Sequence, residues 1–188
     1  TGVQTCALPI LAPDGLDGPP HAETHQALAV RLPGVAETYL VDVGFGGQTL
    51  TSPIRLVAGP AQQTRHEPFR LREHRGGYVL ESLLGEVWRP LYTFTTTARP
   101  LIDLQVGSWY VSTYPESVFV VGLSAALVAG DARWNLRGRH LAVHRAGGTE
   151  RTRLENAARV LDVLSGRFGI DLAGLDDIEA RVAAVLDS

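Results

Sequence analysis

The sequence has one cysteine, no lysine and no long apolar run. With Cys6 the sole thiol in 188 residues, a disulfide framework is excluded and a reducing cytoplasm is the expected compartment, with no signal peptide expected. All 17 basic side chains are arginine, which with 20 glycines and abundant alanine points to a GC-rich coding sequence rather than to a function. These arginines are scattered without a basic run or interleaved aromatics in a chain of net charge −3, so nucleic acid is not an expected partner. The longest apolar stretch, Ser117 to Ala129, is broken by Gly122 and Ser124 and falls short of the roughly 20 residues that cross a bilayer. No membrane span is expected. His21, His66, His74 and His140 show no metal-ligand spacing, so no metal is expected either. What is present, 45% apolar and 20% charged side chains, is globular material for one large domain or two small ones.

Residues 1–10, TGVQTCALPI, fit no element: Pro9 and Pro13 leave no room for a helix, and no alternation continues past them. Back-translated in frame, the ten residues resemble the adapter ligated to fragments in short-read sequencing libraries. The segment is therefore set apart from the fold, and Cys6, which lies inside it, is given no role.

A Pro/Gly/Asp loop over Leu11 to Pro20 leads into alternating segments at Thr24 to Leu32 and Tyr39 to Val43, which read as a hairpin turning at Pro33-Gly34. Further strands are expected at Phe69 to Glu73, Tyr78 to Leu84 and Val87 to Phe94. Gly76-Gly77 and Gly85 join them at the spacing of an antiparallel meander or barrel. Beyond Ser108 the reading is a strand at Val118 to Val121, then Leu141 to His144 and Arg151 to Leu154 across a glycine turn. Leu154, Ala157, Leu161, Leu164 and Phe168 recur at helical spacing, with Gly169 placed as a C-terminal cap. A last helix is expected from about Asp176, with Asp176 or Asp177 as N-cap. The expected fold is α+β: a β-barrel domain over residues 11–107, then a smaller α/β domain over 108–188.

Asp42 is the residue that most needs a partner, because YLVDVGFGG sets a carboxylate within an apolar strand that runs into a glycine turn. Residues opposite each other in an antiparallel hairpin have numbers of constant sum, and His25 with Asp42 gives 67, as does Pro33 with Gly34. In that register their Cβ atoms stand about 4.5–5.5 Å apart, within reach of an imidazole–carboxylate bond. Such a pair is either a polar couple satisfied in a core or two-thirds of a catalytic triad, in which the carboxylate fixes the imidazole tautomer and leaves the other nitrogen to accept a proton.

THQALAV, followed 17 residues on by the aspartate of YLVDVGFGGQTLTSPIRL, resembles the histidine and aspartate blocks of arylamine N-acetyltransferases, especially those of mycobacteria and related actinobacteria. The likeness continues through QQTRHEPFRL, PLYTFTT, DLQVGSWYVST, NLRGRHLAVHR and RFGIDL, and covers Leu11 to Ser188. It implies the family's cysteine-protease-like fold of helical bundle, β-barrel and α/β lid, with the bundle missing here. It also implies a ping-pong reaction: a cysteine takes acetyl from acetyl-CoA as a thioester, and an arylamine or arylhydrazine attacks it. Acetyl-CoA is then a co-substrate, with no permanently bound cofactor. His25 and Asp42 become the triad's histidine and aspartate. By the same resemblance Gly44, Phe45 and Gly46 line the cleft, Phe45 walls the acceptor, Phe119 adds a second aromatic there, and His144 lies near CoA.

The family's R-x-x-x-C-[FY]-E-x-N block has no match in these residues, so the chain as written is expected not to acetylate. Three further readings stand beside this one. GFGG is not a G-x-G-x-x-G fingerprint and serves equally as a tight turn. Arg133, Arg137 and Arg139 read as a solvated basic loop or as partners for CoA phosphates. A non-catalytic module that binds CoA or an aromatic ligand is the alternative from another functional class.

Overall fold

The computed structural model describes the backbone of residues 2–9 and residues 23–187 in full, and divides the chain into two compact units between Tyr110 and Val111. In the first unit, β1 (Gly2–Pro9), β2 (Glu23–Arg31), β3 (Thr38–Val41) and β4 (Ile54–Arg55) form one antiparallel sheet in chain order. A second antiparallel sheet holds β5 (Gln62–Gln63), β6 (Pro68–His74), β7 (Gly77–Leu84) and β8 (Val87–Phe94).

The strand β1 corrects the expectation that residues 1–10 join no element. Its backbone pairs along β2 from Gly2↔Arg31 to Leu8↔His25, with a register shift at Pro9. The physical reason is an open strand edge: β2 is nine residues long, and an extended segment beside it can satisfy its peptide groups there. Proline is tolerated because it sits at the last position of an edge strand.

The barrel is corrected as well. Neither four-stranded sheet closes on itself or on the other, and the two-residue strands β4 and β5 are too short to carry a continuous ladder around a barrel. A single parallel bridge, Ala58 to Leu71, is the additional link. The sheets instead share one apolar core. Ala27, Ala29, Leu40 and Ile54 come from the first sheet, and Phe69, Leu71, Leu80, Tyr92 and Phe94 from the second. Alternation produces this directly, since His25, Ala27 and Ala29 fall on one face of β2.

Helix α1 (Leu101–Thr113) was not foreseen as an element. Its apolar residues surround the axis instead of forming a stripe, none is buried, and the 3.6-residue period that marks a helix in sequence is therefore absent. Residues 118–121, expected as a strand, form the short helix α2 (Val118–Val121). Ser117 caps it, its hydroxyl accepting from the Phe119 N–H at 3.3 Å, and this local bond outweighs the β preference of three valines.

The second unit is a four-stranded antiparallel sheet of β9 (Ser124–Ala129), β10 (Ala132–Arg137), β11 (His140–Arg145) and β12 (Gly148–Arg153), ordered β12-β11-β10-β9. Helices α3 (Ala157–Gly166) and α4 (Ile178–Asp187) complete it. Leu136 packs with Leu154, Val160, Leu164 and Val182 in this unit's own core. Asn156 caps α3 by accepting from the Arg159 N–H at 3.0 Å, and Gly169 has the positive φ of 68° expected just beyond a helix end. Among the described residues no helix is long and apolar enough to cross a membrane.

Candidate active site

The hairpin of β2 and β3 pairs Ala29 with Leu40 and Leu28 with Val41, so opposed residues sum to 69. The expected register of 67 is corrected by two residues, because the connection from Leu32 to Glu37 is longer than a tight turn at Pro33-Gly34. A shift of two leaves every side chain on its original face. His25 and Asp42 are therefore diagonal rather than opposite, and still meet: Nε2 of His25 lies 2.8 Å from Oδ2 of Asp42.

Asp42 sits one residue past β3, where the chain turns into the glycine loop. Its Oδ1 accepts the Gly44 N–H two residues on at 3.0 Å, an Asx turn that redirects the backbone. Thr49 secures the loop by donating its hydroxyl to the Asp42 carbonyl at 3.2 Å. Gly46 adopts φ of 87°, the left-handed conformation that favours glycine. A Cβ at Gly44 would stand 3.7 Å from Cε1 of His25, an ordinary contact, so the glycine loop lies against the histidine ring.

The Asp42 side chain is fully buried. Burial raises its pKa, but this is outweighed by bonds from His25, the Gly44 N–H and Tyr92 and by the nearby His25 ring; the net shift is downward from the ordinary 3.8. An ionised carboxylate only accepts, so Nε2 of His25 carries the proton it donates. The opposite nitrogen, Nδ1, then presents a lone pair and has no partner among the described residues. The imidazole is thus in the tautomer that can take a proton from a nucleophile.

Tyr92, on β8 of the other sheet, donates its hydroxyl to Oδ2 of Asp42 at 2.7 Å and is completely buried. The sequence reading assigned it no role. Its signal was the alternation of Tyr92 and Phe94 in PLYTF, because a tyrosine on a core face needs a partner for its hydroxyl. The rings of His25, Phe45 and Tyr92 touch pairwise, with centroids 5.4 Å, 5.6 Å and 4.8 Å apart. Phe45 is accordingly a wall of the histidine site, half-buried against the core.

Phe119 and His144 belong to the second unit. Phe119 is on α2 and 59% exposed, while His144 is half-buried on β11 with Nδ1 2.8 Å from the Thr149 hydroxyl. Cys6 occupies the backbone position opposite Ala27 on β1. Among the described residues no group of three His, Cys, Asp or Glu side chains could hold a metal ion.

Comparison with known proteins accords with this geometry. The N-acetyltransferase family model matches residues 13–178. The arylamine N-acetyltransferase of Mycolicibacterium smegmatis is 62% identical over 174 residues, which are 92% of this chain and 63% of that protein. The Mycobacterium tuberculosis enzyme of the same name is 54% identical over 94% of this chain and 62% of its own length. The chain thus spans somewhat under two thirds of these relatives. Among solved structures, M. smegmatis arylamine N-acetyltransferase superposes with a TM-score of 0.94 at 57% identity, covering 100% of this chain and 69% of that one. The Mycobacterium marinum enzyme in complex with CoA gives 0.92 at 50% identity, covering 99% and 68%. With its histidine–aspartate pair built on the same scaffold, this chain belongs to the arylamine N-acetyltransferase family.

Proposed function

We propose that these residues supply the general base and its orienting carboxylate for acetyl transfer from acetyl-CoA to an arylamine or arylhydrazine. The observation that carries this is the 2.8 Å bond from His25 Nε2 to a buried, ionised Asp42, which leaves Nδ1 open. A cysteine thiol facing Nδ1 gives up its proton to His25, and the thiolate attacks the acetyl carbonyl of acetyl-CoA. The thioester forms as the CoA sulfur leaves and takes that proton. The amine then attacks the thioester carbonyl, its proton passes to His25, and the cysteine is released to be reprotonated. Asp42 stays ionised throughout and holds the imidazolium in place.

Support for this reading comes from the family and from the site's chemistry. Gly44, Phe45 and Gly46 border the cleft in it and Phe45 presents an aromatic edge to the acceptor, while Phe119 and His144 match positions that the family gives to acceptor and CoA. The nucleophile does not come from Cys6: the family's cysteine block has no counterpart in these 188 residues, and the chain as written does not turn over.

The test is release of free CoA thiol when the purified chain meets acetyl-CoA and an arylhydrazine. No release above background is expected, with Cys6→Ala indistinguishable from the parent. Turnover abolished by Cys6→Ala would instead make Cys6 the nucleophile. In a longer form carrying the cysteine block, His25→Gln should lower kcat/KM by about 10²–10⁴-fold. An unchanged rate would remove His25 from the mechanism.

A further inference from the structure

His25 stands on the least supported part of its strand. β3 pairs with β2 only from Leu28 to Arg31, so among the described residues positions 23–27 have no strand neighbour on that side. On the other side the ladder with β1 loses its register between Leu8 and Pro9, and Pro9, which has no N–H to donate, is the residue opposite Glu23. A strand end without a regular ladder opens locally unless something else holds it. Glu23 and His25 are two residues apart and share a face of β2, so movement of one carries the other.

Two contacts hold Glu23, and both come from the segment that follows β8. Arg99, in the linker between β8 and α1, donates from Nη2 to Oε1 of Glu23 at 2.6 Å across 76 positions. The two side chains are 30% and 39% exposed, so the charge attraction alone contributes modestly. The root of the guanidinium is less free than its tip: Arg99 Nε is shut off from water, and Nη2 reaches Glu23 from a packed base. Two turns further on, α1 meets the same residue through its backbone. Leu104 and Gly107, three apart on one face, are the half-buried positions of α1 within the first unit. A Cβ at Gly107 would lie 3.1 Å from the Glu23 carbonyl oxygen, tighter than side chains ordinarily come, so glycine lets the helix close on the strand.

We propose that Arg99 and Gly107 are positioning residues for His25: the ion pair and the close helix contact clamp the end of β2 so that the imidazole stays on Asp42. The bond from His25 to Asp42 is 2.8 Å long and leaves good hydrogen-bond geometry once stretched by about half an ångström. A loosened strand end two residues away, about 7 Å along the chain, supplies that much movement. The kinetic consequence of the clamp rests on the acetyl-transfer reading; its effect on the imidazole does not.

The test is solvent exchange of the His25 Nε2 proton, followed by nitrogen-15 NMR of the 188-residue chain and assigned by its loss in His25→Gln. In Arg99→Gln the proton should exchange about two- to fivefold faster, the range open to an ion pair at this exposure. Arg99→Lys, and the exchanged pair Glu23→Arg/Arg99→Glu, keep opposite charges in contact and should return it towards the parent rate. Gly107→Ala should speed exchange as well, by forcing α1 and Glu23 apart. Arg159→Gln, which removes an exposed ion pair on α3, is the control and should leave it unchanged. In a longer form carrying the cysteine block, Arg99→Gln should lower kcat/KM by a similar factor. Faster exchange with an unchanged kcat/KM supports the clamp and counts against His25 as the base. Equal exchange in the parent and Arg99→Gln, or an equal rise in the Arg159→Gln control, would overturn the proposal.

Discussion

At the scale of single residues, Asp42 is held by three donors: the His25 imidazole, the Gly44 N–H and the Tyr92 hydroxyl. Their combined effect on its pKa has a consequence for stability. The unfolded carboxyl titrates near 3.8 and the folded one below it, so between those values the unfolded chain binds more protons. Stability contributed by Asp42 is therefore complete above the unfolded value and is lost as pH falls through the folded one. Urea unfolding at stepped pH should show this loss below 3.8 in the parent and a flatter profile for Asp42→Asn. Tyr92 acts through Asp42 as a positioning residue. Tyr92→Phe keeps the ring contacts and removes one bond to a charged acceptor, at a cost of about 1.5–3 kcal/mol. If Tyr92 also orients the pair, nitrogen-15 spectra of His25 will show a mixture of tautomers in the variant, and an unchanged Nε2–H signal would confine Tyr92 to packing.

At the scale of elements, the hairpin of β6 and β7 shows turn chemistry deciding register. Arg75 and Gly76, with φ of 47° and 77°, form its two-residue turn, and His74 pairs with Gly77. Gly77 has a separate constraint: a Cβ there would fall 2.2 Å from the Phe94 carbonyl oxygen on β8. Gly77→Ala should therefore push β8 outward and destabilise the fold by about 1–3 kcal/mol, as overpacking does. Because Tyr92 lies on the same strand, the variant's two-dimensional NMR spectrum should shift at Tyr92 and His25 as well as locally. The strands β2, β6 and β8 were legible because one face of each is buried, and β7, buried on both faces over Val79 to Ser82, was legible from the glycines that bound it. Helix α1 was not, since it buries nothing and so carries no periodic imprint.

At the scale of the whole molecule, large apolar side chains remain open to water. On α1 Leu101 is 69% exposed, Ile102 60%, Val106 57% and Trp109 66%. Patches of this kind drive association. The 188-residue chain should self-associate with rising concentration and bind an apolar dye, both measurable by sedimentation velocity and fluorescence. Val106→Ser/Trp109→Ser should raise the monomer fraction; a monomeric parent with a cooperative thermal transition would count against this expectation.

The sequence alone determined the local features: which residues of β2 share a face, the Gly169 stop after α3, and the likeness of its histidine and aspartate blocks to a family. It also singled out His25 and Asp42, because a carboxylate in an apolar strand demands a partner and a 17-residue separation across a hairpin can supply one. Only the tertiary structure decided how they meet. The loop from Leu32 to Glu37 moved the register by two residues, and the packing of two open sheets brought Tyr92 across 50 positions to the same carboxylate oxygen. Periodicity records whether a side chain faces inward. It does not record which inward-facing side chain of another sheet awaits it, since that depends on how whole sheets pack and no local pattern in the chain encodes it.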